Sequence, residues 1–457
     1  MAVQGAKESE VRFWMESLRT MGMRPGLEVT SVLLTRLGMP QMKFPSIHVA
    51  GSNGKGSCCV ILANALSLSG ISCGLFTSPH LCFVEERIRI DGVPISTKNF
   101  DSILQKVKDA ADQNPSVMPS YYEVTFLVAM MAFAEAGVDR AVIETGLGGR
   151  LDSTRLCYAD ACVLTELALE HTDILGDTLE KIATEKAAIY RPGCLFIARW
   201  NYDDGARNAI ENSVLDHSKA WWWRYDRAMG IRFDMANESH RPIPDFEGFD
   251  GWAPYQKEAA RLAKMTLGML HYHDAAEMVE SAVLHTVWPG RMQHLEYKGV
   301  PLLIDAAHNP SGMEKVCEQL RIQMESDIYP TPGVIIFGCT PQSDIVGFIQ
   351  PLIELIVDGE IKHVLVTEPQ KGRRPAVSST ELLHELESQG APILIEKHPQ
   401  PSAALERALE LAGVKPVQPI LALGSLYLVG NLLQAMGLDD VHSMTVLRPV
   451  PENQYWT

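Results

Sequence analysis

One stretch decides the fold: Ile47-His48-Val49-Ala50, followed by Gly51-Ser52-Asn53-Gly54-Lys55-Gly56-Ser57. The first four residues are short and mostly apolar and predict a buried strand, and the apolar run from Ser57 to Ser69, closed by Gly70, predicts a helix. A glycine-rich turn between a strand and a helix lets backbone N–H groups converge on an anion. The helix N-terminus adds partial positive charge, and Lys55 adds a full one. The stretch therefore predicts a phosphate-binding loop.

The spacing of this loop differs from the usual pattern, G-x-x-x-x-G-K-[ST]. Two residues separate Gly51 from Gly54, and Gly56 stands between Lys55 and Ser57. A glycine-rich turn that binds nothing is the alternative for a pattern of this kind, so the rest of the chain has to distinguish the two. In a phosphate loop, the hydroxyl of Ser57 would bind the magnesium ion that accompanies a nucleotide.

Length and composition are typical of a globular protein with two or three domains. The chain has 457 residues, of which 46% are hydrophobic and 21% charged. A net charge of −16 argues against a nucleic-acid partner. No apolar run has transmembrane length, and the first residues resemble neither a signal peptide nor an arginine-rich transit peptide. We therefore expect no membrane contact and a cytoplasmic monomer that binds small molecules, with a mitochondrial pool as the alternative location.

The nine cysteines are scattered along the chain, odd in number and without a C-x-x-C pair. This pattern predicts free thiols in a reducing compartment and argues against disulfides or a zinc site. Buried cysteines of this kind usually act as small core residues.

Strands alternate with helices through the first part of the chain. Apolar runs that end at Phe76, Glu144 and Thr165 predict strands, and helices are predicted over 97–112 and 122–136. Such alternation is typical of a parallel sheet, whose ligands collect at the carboxyl ends of the strands. The residues that follow those ends include Gly51, Ser78, Glu144 and His171.

The cluster Trp288-Pro289-Gly290-Arg291 predicts a hinge, because proline and glycine interrupt regular structure. The alternation then restarts, with predicted strands at 302–305, 334–338, 364–366, 393–395 and 420–423 and helices between them. The predicted fold is α/β, with an N-terminal parallel-sheet domain (1–290) that carries the phosphate loop. A smaller, Rossmann-like C-terminal domain (291–457) follows.

Two further patterns suggest metal chemistry. Hydroxyl, carboxylate and imidazole groups are reasonable magnesium ligands when a nucleotide supplies phosphate oxygens, and Ser57, Ser78, Glu144 and His171 form such a set. A structural role is the alternative for each residue alone.

Lys186 lies on the apolar face of a helix predicted over 178–190, where burial should lower its pKa. Its amine either extends to water or, when neutral, captures carbon dioxide as a carbamate that can bind a metal.

Several segments of the chain resemble the motifs of one known family. The stretch His48–Ser57 is similar to the H-V-A-G-T-N-G-K-G-S of the folylpolyglutamate synthase and dihydrofolate synthase family, within the Mur ligase superfamily. Further segments match in order from about residue 12 to 435: Phe76–Leu81, Glu86–Ile90, Glu144–Asp152, His171–Thr178, Glu185–Ala187, Pro289–Arg291, Asp305–Pro310 and Gly424–Tyr427. The chain is identified as a member of this family, which implies a Mur-ligase-like fold.

The resemblance implies an ATP-dependent ligase that joins glutamate to a pteroate-type or folate carboxylate through an acyl phosphate. It implies that Lys55 and the loop residues Gly51, Ser52, Asn53, Gly54, Gly56 and Ser57 hold the ATP phosphates. Ser57, Ser78 and Glu144 would bind one magnesium ion. His171 and a carbamylated Lys186 would bind a second metal.

The remaining roles are also implied by the resemblance. Arg291 would reach the phosphates from the hinge, and Gln256 would lie near the adenine. Asp305, His308 and Ser425 would surround the nucleotide and the incoming glutamate. Tyr122 matches an aromatic residue that packs on the pterin, and Asp152 a carboxylate that hydrogen-bonds it. Asn53 is shared with dihydrofolate synthases and bacterial bifunctional members.

Several positions depart from the family pattern. Arg155 replaces an asparagine, Glu170 an aspartate, Ala259 an asparagine and Ser343 a lysine. The leading hypothesis is dihydrofolate synthase, folylpolyglutamate synthase or both. One alternative is a family member recruited to couple an amino acid to a different carboxylic acid, since Arg155 and Ala259 have changed. Another is a nucleotide-binding relative without catalysis.

Overall fold

The structure is a computed structural model that describes residues 10–22, 26–201, 203–214, 220–226, 229–234, 240–243, 254–372, 375–390 and 394–447. The strands of the first domain are β1 (Ser46–Ala50), β2 (Cys73–Phe76), β3 (Ile88–Ile90), β4 (Val93–Pro94), β5 (Arg140–Glu144), β6 (Ala159–Leu164), β7 (Leu195–Arg199), β8 (Ala220–Asp226), β9 (Met229–Asp234) and β10 (His240–Ile243). Its helices are α1 (Glu10–Ser17), α2 (Glu28–Arg36), α3 (Lys55–Leu68), α4 (Thr97–Asp112), α5 (Tyr121–Ala136), α6 (Thr172–Leu175), α7 (Leu179–Ala187), α8 (Asp204–Ser213), α9 (Pro254–Met269), α10 (His273–Glu277) and α11 (Val279–His285).

The second domain repeats the alternation. Its strands are β11 (Gln293–Tyr297), β12 (Val300–Ile304), β13 (Val334–Phe337), β14 (His363–Val366), β15 (Leu394–Lys397) and β16 (Ile420–Leu423). Its helices are α12 (Pro310–Glu325), α13 (Ile345–Asp358), α14 (Ser379–Ser388), α15 (Pro401–Ala412) and α16 (Leu426–Ala435). The predicted alternation of the C-terminal part is therefore confirmed.

Each domain is built on one sheet. Within the described residues, the first sheet has the strand order β10-β9-β8-β7-β6-β1-β5-β2-β3-β4, and its central strands, from β8 to β2, run parallel. The second sheet has the order β11-β12-β16-β13-β14-β15 and is parallel except for β11. All five residues of β1 are buried, as expected for a central parallel strand with both faces covered. The phosphate loop that follows β1 thus leaves the middle of the first sheet.

Local sequence signals fix several helix ends near the site. Ser120 and Glu123 form a capping box that starts α5, and Gly137 ends this helix in a left-handed conformation. Asn309 caps α12, where its side chain accepts the amide of Gly312 at 2.7 Å. These caps position the residues that precede each helix.

The chain returns to the first domain at its C-terminal end. The carbonyl of Val446 accepts the amide of Val287 at 3.0 Å, and the amide of Val446 donates to the carbonyl of Gly92 at 2.9 Å. Val446 lies in the same apolar cluster as the buried residues of α3. Two segments therefore connect the domains, the hinge near Pro289 and this returning segment.

No helix in the described part of the chain is long and apolar enough to cross a membrane. The cysteines in this part of the chain are free, and all but Cys82 are buried. The burial of these thiols agrees with their predicted role as small core residues.

Candidate active site

The phosphate loop is fixed to the end of β6. The amide of Ser52 donates to the carbonyl of Glu166 at 2.6 Å, and the hydroxyl of Thr165 donates to the carbonyl of Asn53 at 2.8 Å. Gly51 has φ +145, and a Cβ on it would lie 1.9 Å from the Thr165 hydroxyl, so only glycine fits there. These contacts fix the backbone of the loop just before α3.

Lys55 begins α3, and its Nζ donates to the carbonyls of Gly51 and Ser52 at 2.9 and 3.0 Å. The amine therefore lies over the loop in which the phosphates are predicted to bind. An anion in the loop would offer this cation stronger partners than neutral carbonyls. A phosphate bound in the loop would therefore replace these carbonyls as the hydrogen-bond partner of Lys55.

Glu144 ends β5 beside the loop and is buried. Its Oε2 accepts the amide of Ser78 at 2.9 Å, and among the described residues Oε1 accepts no hydrogen bond. Burial raises the pKa of Glu144, while the charges of Lys55 and Arg291 and the amide of Ser78 oppose this rise. The Glu144 carboxylate thus lies near two cationic side chains, those of Lys55 and Arg291.

These residues fit a magnesium ion that arrives with a nucleotide. Among the described residues, no cluster of three or more His, Cys, Asp or Glu side chains could hold a metal by itself. Magnesium usually takes one or two carboxylates and completes its shell with phosphate oxygens and water. Glu144 and Ser78, with Ser57 in the first turn of α3, match that donor set.

Lys186 is almost completely buried, and its Nζ donates to Gly51 O and to Glu170 Oε1, both at 2.7 Å. Burial lowers the pKa of Lys186 to about 8, although the Glu170 carboxylate raises it. The charges of Lys55 and Lys186 outweigh the effect of burial on Glu170 and lower its pKa to about 2. In this structure the lysine is thus a cation paired with a carboxylate. His171, the other residue predicted for this metal, is exposed and has φ +47.

Tyr122 and Asp152 lie together beside the loop that follows β5. The Tyr122 hydroxyl donates to Asp152 Oδ1 at 3.3 Å, and Oδ2 accepts the amides of Gly146 and Leu147 at 2.9 Å each. Asp152 therefore fixes the backbone of the loop after β5. Thr154 also donates to Asp152 and contacts His48 Nε2 at 2.8 Å.

The residues predicted in the second domain lie at the ends of adjacent strands. Asp305 follows β12 and accepts the amides of Met292 and Ala307, both at 2.8 Å. Burial raises its pKa, and the charge of Arg291 opposes the rise. Ser425 follows β16 and caps α16 by accepting the amide of Tyr427 at 3.1 Å. The contacts described for Asp305 and Ser425 are therefore with the backbone.

His308 lies four residues after the end of β12 and is exposed. Its Nδ1 lies 2.9 Å from the carbonyl of Ala306, so Nδ1 carries the proton and Nε2 is left as an acceptor. Desolvation by the surrounding protein, and then the charge of Arg291, lower the pKa of His308. The imidazole is neutral at pH 7.

Arg291 connects the two halves of the site. Its charge acts on Glu144 of the first domain and on Asp305 and His308 of the second. It lines one cleft with Ser78, Glu144 and Trp288. The arrangement brings a phosphate loop, a buried carboxylate and a hinge arginine together.

The departures from the family pattern lie mainly outside this cleft. Arg155 donates to the carbonyls of Ala188 and Tyr190 at 2.8 and 3.0 Å, just beyond the helix that carries Lys186. Ala259 is buried in the core beside α3, and Ser343 is exposed. Gln256 is partly buried in α9. Arg155 thus binds the backbone, and Ala259 packs in the core.

Sequence reasoning missed a contact between the domains. Glu166 pairs with Lys315 of α12 and lies 3.8 Å from Arg199, and Asn53 Nδ2 lies 3.1 Å from Ser311 Oγ. Ser311 and Lys315 are four residues apart and so share a helix face, which is the one signal that could have indicated this contact.

Comparisons with known proteins agree with this geometry. Residues 290–426 match the family described as Mur ligase, glutamate ligase domain. The chain is 31% identical over 329 residues to the dihydrofolate synthase/folylpolyglutamate synthase of Bacillus subtilis, which covers 68% of this chain and 76% of that relative. It is 30% identical over 425 residues to the folylpolyglutamate synthase of Lacticaseibacillus casei, which covers 88% of this chain and 92% of the relative. The chain belongs to the dihydrofolate synthase/folylpolyglutamate synthase family.

A solved structure supports the same assignment. Folylpolyglutamate synthase of Mycobacterium tuberculosis, complexed with ADP and AMPPCP, superposes with a TM-score of 0.76 at 25% identity over 93% of this chain and 98% of that one. The predicted Mur-ligase-like fold is therefore confirmed. As a member of this family, the chain is an ATP-dependent ligase that forms C–N bonds.

Proposed function

We propose that this ligase joins L-glutamate to a pteroate-type or folate-type carboxylate, as a dihydrofolate synthase, a folylpolyglutamate synthase or both. The observation that carries the proposal is the position of Arg291 at the start of the second domain, where it lines one cleft with Ser78 and Glu144 of the first domain. A reaction between a nucleotide phosphate, a carboxylic acid and an amino acid requires a cleft that both domains line.

The reaction has two steps. The carboxylate of the acid attacks the γ-phosphorus of ATP, ADP leaves, and an acyl phosphate forms. The amine of glutamate then attacks the acyl carbon, phosphate leaves, the amine loses a proton, and an amide remains. A free carboxylate is a poor acyl donor because its leaving group would be oxide, and phosphorylation removes this obstacle. The enzyme contributes mainly alignment and charge neutralisation.

The side chains have distinct parts in this scheme. Lys55 and the loop amides hold the phosphates, and Arg291 approaches the transferred phosphoryl group from the hinge. Ser57, Ser78 and Glu144 would hold the magnesium ion, which neutralises charge on the phosphates when bound. Neutral His308 can accept a hydrogen bond at Nε2 from the amine of the incoming glutamate.

The second metal belongs to the proposal as well. His171 and a carbamylated Lys186 would hold it beside the phosphate loop, since Lys186 Nζ already contacts Gly51 O at 2.7 Å. Carbamylation requires that the lysine leave its ion pair with Glu170. The low pKa of about 8 supports this step, because only a neutral amine reacts with carbon dioxide.

The pocket for the acid is assigned to Tyr122 and Asp152, and the adenine edge to Gln256. Tyr122 and Asp152 already contact each other at 3.3 Å beside the loop after β5.

We also propose that the protein is a cytoplasmic monomer, with a mitochondrial pool as the alternative location.

The recruited-ligase alternative rested on Arg155 and Ala259. Arg155 binds backbone carbonyls and Ala259 lies in the core, so neither contact favours a different acid. Family membership argues against a relative without catalysis.

A matrix of acids and amino acids tests the proposal. Pteroate-type acids, folates and unrelated carboxylic acids are each incubated with ATP, magnesium and L-glutamate or another amino acid, and products are identified by mass. We expect glutamyl amides of the pteroate-type or folate-type acids. Amides formed only from unrelated acids would overturn the assignment in favour of the recruited ligase.

A further inference from the structure

Trp288 makes an unexpected contact with the phosphate loop. A Cβ on Gly56 would lie 3.2 Å from Cζ2 and 3.4 Å from Nε1 of Trp288, so a side chain larger than that of glycine would press on the indole. Gly56 is the residue that separates Lys55 from Ser57 and makes the loop unusual. The packing of this indole on Gly56 therefore disfavours a larger residue at that position.

The indole is also held on a second side. The guanidinium of Arg89 lies 5.3 Å from the centre of the Trp288 ring, within the range of a cation–π interaction. Arg89 is itself buried and donates to the carbonyl of Met444, at 3.2 Å from both Nε and Nη2, and to the Thr77 hydroxyl at 3.3 Å. Trp288 is thus fixed to the first domain by β3 and by the returning C-terminal segment.

The next residues of the hinge are bound to the second domain. The carbonyl of Gly290 accepts the amide of Ala306 at 2.8 Å, and a Cβ on Gly290 would lie 2.8 Å from Val429. The change from one domain to the other therefore takes place at Pro289, between Trp288 and Gly290. Arg291 follows directly, so its distance from the loop depends on where the indole sits.

We propose that Trp288 is a positioning residue that couples the phosphate loop to Arg291. When nucleotide binds and the loop shifts, Gly56 displaces the indole that packs on it. The short Pro289-Gly290 segment then transmits this displacement to Arg291. The proposal rests on the proposed function in one respect, namely that Arg291 acts on the phosphates of ATP. Trp288 itself need not touch the substrate.

The test uses the full chain and three variants, Gly56→Ala, Trp288→Phe and both together. Among the described residues the indole N–H has no hydrogen-bond partner, so Trp288→Phe removes ring atoms without breaking such a bond. Each single change should lower kcat about tenfold or more, because a misplacement of about 1 Å can lower a rate on the order of a hundredfold, while KM for the acid changes little. In the double variant kcat should exceed that of Gly56→Ala, since phenylalanine leaves room for the new methyl group.

Strictly multiplicative effects in the double variant, or an unchanged kcat in Trp288→Phe, would overturn the proposal. Trp14→Phe, a tryptophan in a different apolar cluster, is the matched control and should keep the kcat of the parent chain. Fluorescence on addition of ATP and magnesium supplies a readout without turnover, and its change should be lost in Trp288→Phe and kept in Trp14→Phe. If the parent chain forms no amide, the proposed function fails, while this fluorescence pair still decides the role of Trp288.

Discussion

Nζ of Lys186 lies 2.7 Å from Oε1 of Glu170 and at the same distance from the carbonyl oxygen of Gly51. One buried amine thus joins the helix α7, the segment after β6 and the phosphate loop. Carbamylation would replace this cation by an anion beside Glu170, which is unfavourable unless a metal ion separates the two negative charges. The ion pair and a carbamate would therefore exclude each other at Lys186.

We predict that Lys186 becomes carbamylated when magnesium and bicarbonate are present. Its pKa of about 8 means that the neutral amine increases as the pH rises through 8, so the carbamate and the activity that depends on it should increase from pH 7 to pH 9. A carbamate signal from ¹³C-bicarbonate in NMR spectra measures the modification. Lys186→Ala should lose activity, and a small acid such as acetate should restore part of it.

Lys181→Ala is the control for Lys186, because Lys181 lies on the same helix but is exposed and pairs with Asp177. It should keep full activity. A Lys186→Ala variant with normal turnover, together with no carbamate signal between pH 7 and pH 9, would exclude the modification.

Arg291→Ala should lower turnover strongly. Loss of one charged contact in the transition state typically lowers kcat on the order of a hundredfold or more. ATP binding should suffer less, because Lys55 and the loop remain. Arg291→Lys should recover part of the rate, and X-ray scattering with and without ATP and magnesium measures closure of the cleft. Unchanged turnover in Arg291→Ala, with identical scattering in both states, contradicts a closing cleft.

Lys315→Ala should weaken the contact between the domains. The ion pair of Lys315 with Glu166 is partly exposed, so it contributes on the order of 1 kcal/mol or less, and kcat should fall about fivefold at most. The charge exchange Glu166→Lys with Lys315→Glu should restore part of the loss. Lys264→Ala, which breaks an ion pair with Glu280 inside the first domain, should leave kcat unchanged. Equal kcat values for Lys315→Ala and the parent chain, at low salt, would show that the pair does not assist closure.

Arg155→Asn introduces the residue that family members usually carry. It removes hydrogen bonds to the carbonyls of Ala188 and Tyr190, which should lower the free energy of unfolding by about 1 to 3 kcal/mol. The ratio of kcat/KM values among different acids should stay the same. Thermal unfolding and that ratio are the measurements, and a changed acid preference would place Arg155 in substrate selection after all.

The sequence predicted the architecture well because most elements have strong periodicity. The helix predicted over 97–112 forms Thr97–Asp112, and the strand predicted to end at Glu144 forms Arg140–Glu144. The three strands β8 to β10 at one side of the sheet escaped prediction, since their mixture of tryptophan, charged and apolar residues gives no clear alternation. The return of Val446 to the first domain has no local signal either.

The candidate site was predicted in part for the same reason. Residues that follow strand ends, such as Ser78 and Glu144, can be located from the strand pattern, and the structure brings them within 2.9 Å. The contacts of Trp288 with Gly56 and of Lys315 with Glu166 join residues far apart in the chain. Such contacts depend on how the two domains pack, which local periodicity does not encode.

Phosphate release from ATP tests the central claim most directly. It is measured with neither substrate, with a pteroate-type or folate-type acid alone, with L-glutamate alone, and with both, in the parent chain and in Lys55→Ala. We predict sustained release only with both substrates, one phosphate for each amide formed, and almost none in Lys55→Ala. Phosphate release that does not depend on the acid and glutamate, or that is unchanged in Lys55→Ala, would contradict an acyl-phosphate ligase that binds ATP at this loop.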